Sequence, residues 1–340
     1  MSTPAQLRPR LPRALSFLEH RNAWLLSAIG TAAMLLFFVL TLDRATLSEA
    51  WRSISLRVIC LTVVLLGVNG LLDGLWLTTI TRGSARRRDA YRVVAWQMLV
   101  SSVLPARLGD VAWMYFVHRW LKQPAARAVF VTFYHRLQDF IVVSLLLVLS
   151  LILARSQVGG APALVIAVAL CVAMGLACAT LGHLLALLAA ALLRLHRRFH
   201  RRWLRVALEH VLRIRIWYRH RLQRDQVVKS FIVIALRWVA ILAAVALIIA
   251  TLVPSVTAGD SFFLANAYIY LGIVPVQSVG GFGTGEAGLA WILTYYGLPL
   301  AKASAVGLLL RLLINLVHLM LGPLVLVLLG LLVRWERRAI

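Results

Sequence analysis

The chain has 340 residues, 61% of them hydrophobic and only 14% charged, with a mean hydropathy of +0.86, which excludes a soluble globular domain and makes a lipid bilayer the solvent. The formal charge of +24, from 36 Lys and Arg against 12 Asp and Glu, would suggest nucleic acid in a soluble protein. Here the basic residues stand between long apolar runs, so they read as loops facing anionic lipid headgroups, and no nucleic-acid partner is expected.

The chain opens on a basic arm, 1–22, with Arg8, Arg10, Arg13 and Arg21. The apolar run 24–42 is about the ~20 residues a span needs, so it is read as an uncleaved first span and not a signal peptide. Five more runs are long enough to cross, at 58–80, 138–154, 161–193, 231–254 and 305–332. The run 161–193 exceeds a ~30 Å core at ~1.5 Å per residue, so it must tilt, kink near Gly175 or Gly182, or continue past the interface as an amphipathic helix. Cys60, Cys171 and Cys178 all fall inside apolar segments and read as small packing or lipid-facing residues.

Orientation follows from the arginines. The N-terminal arm, the loop 81–92 (Arg82, Arg86, Arg87, Arg88, Arg92), the segment 194–230 and the tail (Arg334, Arg337, Arg338) are basic, whereas 155–160 and 255–260 hold one Arg between them. The first group is expected in the cytoplasm and the second outside, with both termini cytoplasmic in a bacterial-type inner membrane. Segment 194–230 carries twelve Lys or Arg against Glu209 and Asp225, with Trp203, Ile214, Trp217 and Leu222 interleaved. It reads as an interfacial segment on anionic inner-leaflet lipid.

Parity then constrains the two stretches between spans, 93–137 and 262–304. The first must start and end inside, the second must start and end outside. Each consists of short apolar pieces broken in the middle: Val93 to Leu104, Pro105 to Asp110, Val111 to Val117; and Phe262 to Val276, Gly280 to Glu286, Ala287 to Leu298. Broken backbone at membrane depth leaves N–H and C=O groups unpaired unless protein or a wet cavity surrounds it. Two breaks entering from opposite faces are what an inverted-repeat transporter presents at its substrate site. Two arrangements satisfy parity: a re-entrant hairpin in each stretch, which is preferred, or a tight pair of ordinary spans in each, giving ten crossings.

Ionisable groups inside apolar segments cost roughly 2.5–3.5 kcal/mol each on insertion, so each implies a partner or a polar cavity. Arg107 and Asp110 are three apart at the first break, and Arg136 and Asp139 are three apart after His135, a spacing that puts each pair on one helical face. Asn69 and Asp73, four apart, make another polar face. The second half has Glu286 at its break and a stripe of Arg311, Asn315 and His318 in the last span. Internal ion pairing that locks the bundle accounts for any single pair. For Arg107 and Arg311 with the glycine-rich break, an anion site is the stronger reading, because a guanidinium offers a planar fork to phosphate and a glycine loop exposes backbone N–H groups. Arg237, early in its span, is compatible with snorkelling to the interface. His135 and His318 are candidate proton carriers, with hydrogen-bonded packing as the plainer alternative. There is no Gly-x-Ser-x-Gly, His-Glu-x-x-His, Walker loop or Cys-x-x-Cys in the sequence, so no nucleotide, metal or other cofactor is expected.

Leu104-Pro-Ala-Arg-Leu-Gly-Asp110, Arg136-x-x-Asp139, Gly-Gly-x-Gly-x-x-Glu at 280–286 and Arg311 together resemble the lysylphosphatidylglycerol synthase transmembrane-region family, also described as flippase-like, over about residues 25–335. The resemblance implies a membrane domain that moves a lipid between leaflets. It assigns substrate binding to Arg107, Asp110, Arg136, Asp139, Gly280, Gly281, Gly283, Glu286 and Arg311. In multidomain members a separate soluble domain performs aminoacyl transfer. With Ile340 following the last span so closely, that synthase activity is not carried over.

The expected fold is an all-α polytopic membrane bundle forming one transmembrane domain over 1–340. The favoured function is translocation of an anionic or phosphate-bearing membrane lipid. The alternatives are an integral-membrane transferase using Asp110, Asp139 or Glu286 as general base, and a non-catalytic scaffold that docks partners through 194–230.

Overall fold

The computed structural model describes residues 44–81, 86–103, 108–154, 160–221, 224–272 and 283–338. The basic arm and the apolar run 24–42 lie outside the described residues, as do Arg107, Gly280 and Gly281. Among the described residues the chain is all-α, with eleven helices: α1 (Arg44–Arg52), α2 (Leu56–Thr81), α3 (Arg87–Val103), α4 (Leu108–Trp120), α5 (Ala125–Leu153), α6 (Gly160–Phe199), α7 (Arg202–Arg221), α8 (Arg224–Leu252), α9 (Ala258–Gly272), α10 (Thr284–Tyr295) and α11 (Leu300–Arg338).

Four stretches, Leu56–Thr81, Ala125–Leu153, Asp225–Leu252 and Leu300–Leu332, are long and apolar enough to cross a membrane. Their burial is inverted relative to a soluble protein. On α2 the exposed stripe is Leu61, Val64, Val68, Leu71 and Leu75, whereas Thr62 and Asn69 are buried. Apolar residues that recur every three to four positions on the outer face are what a bilayer solvates, and polar groups must turn inward to find partners. The same outward stripe recurs on α8 (Ile232, Leu236, Val239) and on α11 (Leu312, Leu316, Leu319).

α2 and α8 pack along each other at the centre, with Leu66, Trp76, Ile234, Leu242 and Ile248 fully buried between neighbouring helices. α5 lies against α4, α8 and α9, and α11 runs beside α2, α3, α8 and α10. α3 and α4 pack on each other, as do α9 and α10. A glycine sits at each of these two crossings. A Cβ on Gly109 would lie 3.3 Å from Ser101 Cα, and one on Gly285 would lie 3.4 Å from Gly272 Cα, so a missing side chain lets the backbones approach.

One helix start differs from the hydropathy reading. α5 starts at Ala125, well before position 138, and so occupies part of the stretch read as the first broken region. The polar residues Arg127, His135, Arg136, Gln138 and Asp139 interrupt the apolar run, but groups on other helices satisfy many of their polar atoms, so the helix need not stop. α6 is a continuous helix of 40 residues that includes the basic Arg194, Arg197 and Arg198. α7 packs against it, so 202–221 of the basic segment is helical.

Candidate functional site

Two clusters of buried charge stand out. The first is centred on Asp139, near the midpoint of the 29-residue α5. Trp238 Nε1 donates to Asp139 Oδ1 at 2.8 Å and Arg136 Nη1 donates to Oδ2 at 3.0 Å. Arg237 Nη2, near the midpoint of α8, also donates to Asp139 Oδ1, and its Nη1 lies 3.4 Å from Asp73 Oδ1 of α2. Arg136 Nη2 in turn donates to Asp110 Oδ1, in the first turn of α4. His135 sits between two carboxylates, with Nε2 3.1 Å from Asp73 Oδ1 and Nδ1 3.6 Å from Asp139 Oδ2.

This network ties α2, α4, α5 and α8 together. Its floor is polar as well: Gln138 accepts a 2.7 Å hydrogen bond from Trp76 Nε1 and donates one of 2.7 Å to Ser230 Oγ. Asp139 and Arg237 are each only 5% exposed. The Arg136 side chain, by contrast, is 41% exposed although carboxylates hold it from two sides. The side chain is therefore held in place and partly exposed at once, a combination that suits an incoming anion.

The second cluster joins α9, α10 and α11. Glu286 is 2% exposed. Its Oε2 accepts the Gly283 N–H at 2.7 Å, closing the first turn of α10, and its Oε1 accepts the Tyr268 hydroxyl at 2.9 Å. Arg311 Nε lies 3.7 Å from the same Oε1. α11 reaches this carboxylate because of Gly307, whose Cβ position would lie 2.9 Å from Glu286 O. Gly307→Val is expected to push α11 away and destabilise the fold by about 1–3 kcal/mol, read as a lower midpoint of unfolding in detergent; an unchanged midpoint would show that the two helices do not meet there.

His318, two turns along α11 from Arg311, lies within electrostatic reach of both Arg311 and Asp73, so α11 spans the gap between the two clusters. Of the residues singled out in the sequence, Asp110, His135, Arg136 and Asp139 come together in the first cluster, and Gly283, Glu286 and Arg311 in the second. Arg107, Gly280 and Gly281 fall outside the described residues.

Sequence reading missed four participants. Asp73 was paired with Asn69 and not with Arg237, which was taken as compatible with snorkelling but is buried and ion-paired with Asp73 and Asp139. Its guanidinium finds carboxylates at its own depth and has no need to reach for water. Trp238 and Tyr268 gave no signal as an indole and a phenol among many aromatics. Opposite charges at matched depth in two spans were the one available clue for Asp73 and Arg237.

The family model for the lysylphosphatidylglycerol synthase TM region matches residues 24–322. The chain therefore belongs to that family and is a multi-pass membrane protein. A comparison with curated proteins finds no match.

Proposed function

We propose that this member of the lysylphosphatidylglycerol synthase TM region family is a lipid translocase, moving an anionic or phosphate-bearing lipid between the leaflets of a bacterial-type inner membrane. The observation that carries the reading is Arg136, whose guanidinium is ion-paired with Asp110 and Asp139 in a span-length apolar helix while its side chain remains 41% exposed. Charge of that kind is costly in hydrocarbon and is kept where a polar substrate passes. Arg311, beside Glu286 at the start of α10, offers a second fork. Asp110, Asp139 and Glu286 balance these cations when no lipid is bound, and Arg107, Gly280, Gly281 and Gly283 complete the proposed substrate-binding set.

The topology behind this reading has six spans and two re-entrant hairpins in a single transmembrane domain, with both termini cytoplasmic. The hairpins rest on the parity set by the arginine-rich segments and on the breaks in the two apolar stretches. The basic segment 194–230 would rest on anionic inner-leaflet lipid. Ion pairing of the buried carboxylates Asp139 and Glu286 suits binding better than the general-base step a transferase would need.

The test is leaflet exchange in proteoliposomes. Reconstituted protein is expected to bring fluorescent NBD-phosphatidylglycerol from the inner leaflet within reach of external dithionite. If bleaching stops at the outer-leaflet half, as in protein-free vesicles, the translocase reading fails.

A further inference from the structure

Among the described residues, the first charge cluster holds three carboxylates, Asp73, Asp110 and Asp139, and two guanidiniums, Arg136 and Arg237. A carboxylate buried among span-length helices is expensive unless a cation or donor faces it. His135 is the further group placed to supply positive charge to two of the three. Each of its ring nitrogens faces a different carboxylate, Asp73 at 3.1 Å and Asp139 at 3.6 Å. A neutral imidazole has a single N–H and would turn a lone pair toward one of the two anions, whereas an imidazolium donates to both.

The faces of the ring agree with its edges. Trp113 stacks on His135 with centroids 5.6 Å apart and planes 15° apart, and Trp76 lies against it at 4.3 Å. The electron-rich indole faces attract a cation. The indole of Trp113 spends no hydrogen bond here, since its buried Nε1 has no partner. A positive charge suited to this geometry is a proton on His135, which both carboxylates face.

We propose that His135 is a proton-binding site, and that loss and gain of its proton switches the α2, α4, α5 and α8 network between an open form and a locked form that carries one more positive charge. Coupling of this switch to lipid movement rests on the translocase reading; the proton site itself does not. The groups that set its charge balance are Asp73 on α2, Asp110 on α4, Arg136 and Asp139 on α5, Arg237 on α8 and His318 on α11, with Tyr91 of α3 against Gly74 beside Asp73. With His135 protonated, each of α2, α5 and α8 holds a satisfied charge. With it neutral, Asp73 and Asp139 still share Arg237, and Asp139 keeps Arg136 and Trp238, but the link from α5 to α2 through His135 weakens. A lipid phosphate drawn to Arg136 would add further negative charge and so favour proton uptake.

Nitrogen NMR of the full chain in proteoliposomes, labelled with ¹⁵N-histidine, reads this directly. The expected result is a histidine with both ring nitrogens protonated at mildly acidic pH, converting to a neutral ring as pH rises, lost in H135Q and shifted in W113F, which alters only a ring face. A neutral histidine throughout, or a doubly protonated signal that survives in H135Q and ignores W113F, overturns the site. The coupling is read in the same vesicles with NBD-phosphatidylglycerol: a pH gradient is expected to shift the steady-state leaflet distribution in the wild type and to lose that bias in H135Q. Exchange that proceeds with no bias in the wild type overturns the coupling alone. Absence of any exchange removes the translocase reading, and the NMR signal still decides the proton site.

Discussion

Arg237→Met is expected to be among the most destabilising single substitutions in the bundle, at about 3–5 kcal/mol, because it removes a buried guanidinium that two carboxylates share. Arg237 is buried and bridges Asp73 of α2 to Asp139 of α5. Methionine preserves much of the volume, so the loss is electrostatic and owes little to packing. Asp139 would keep Arg136 and Trp238, but Asp73 would keep only His135. Removing the orphaned carboxylate as well should recover much of the loss: the double variant Arg237→Met with Asp73→Asn is expected to unfold later than the single one. Reversible unfolding in mixed micelles, followed by tryptophan emission, measures both. If Arg237→Met unfolds with the wild type, the ion network is not what fastens α2 to α5 and α8.

Arg311→Ala is expected to separate function from stability. A charge-assisted hydrogen bond contributes about 1.5–3 kcal/mol, so loss of one guanidinium contact to a lipid phosphate predicts a fall in translocation rate of roughly 10- to 100-fold. The fold should tolerate the change. The Arg311 side chain is 21% exposed, and Glu286 retains the Gly283 N–H and the Tyr268 hydroxyl. Arg311→Lys should fall between, since an ammonium restores charge without the planar fork. Leaflet exchange of NBD-phosphatidylglycerol, set beside the unfolding midpoint of the same preparations, reads the contrast. Exchange at the wild-type rate in Arg311→Ala would remove Arg311 from the binding set.

Arg237 and Arg311 are both arginines within apolar helices, and hydropathy ranks them alike. Their surroundings divide them. Arg237 lies between two carboxylates and is 5% exposed. Arg311 faces a carboxylate that is already bonded elsewhere, at the edge of a helix start. The first is a structural clamp and the second is better placed for a ligand.

Much was legible in the residues themselves. Apolar length and arginine placement are one-dimensional properties, and they were enough to mark an all-α membrane chain; short motifs carried the resemblance to its family, and spacing on a helix gave the pair Arg136 with Asp139. Helix starts were less legible, because a window average treats His135, Arg136 and Asp139 as a break. In the folded chain α5 passes straight through them from Ala125.

What the sequence determined by itself is the solvent: with 61% hydrophobic residues the chain must bury polar groups and expose apolar ones. What only tertiary structure decided is which buried charge meets which. Asp73 and Arg237 are far apart along the chain and share no helical period, so their pairing exists only because α2 and α8 lie side by side. In hydrocarbon a charge takes the partner at its own depth on the neighbouring helix, and no spacing rule along a single helix can specify that neighbour.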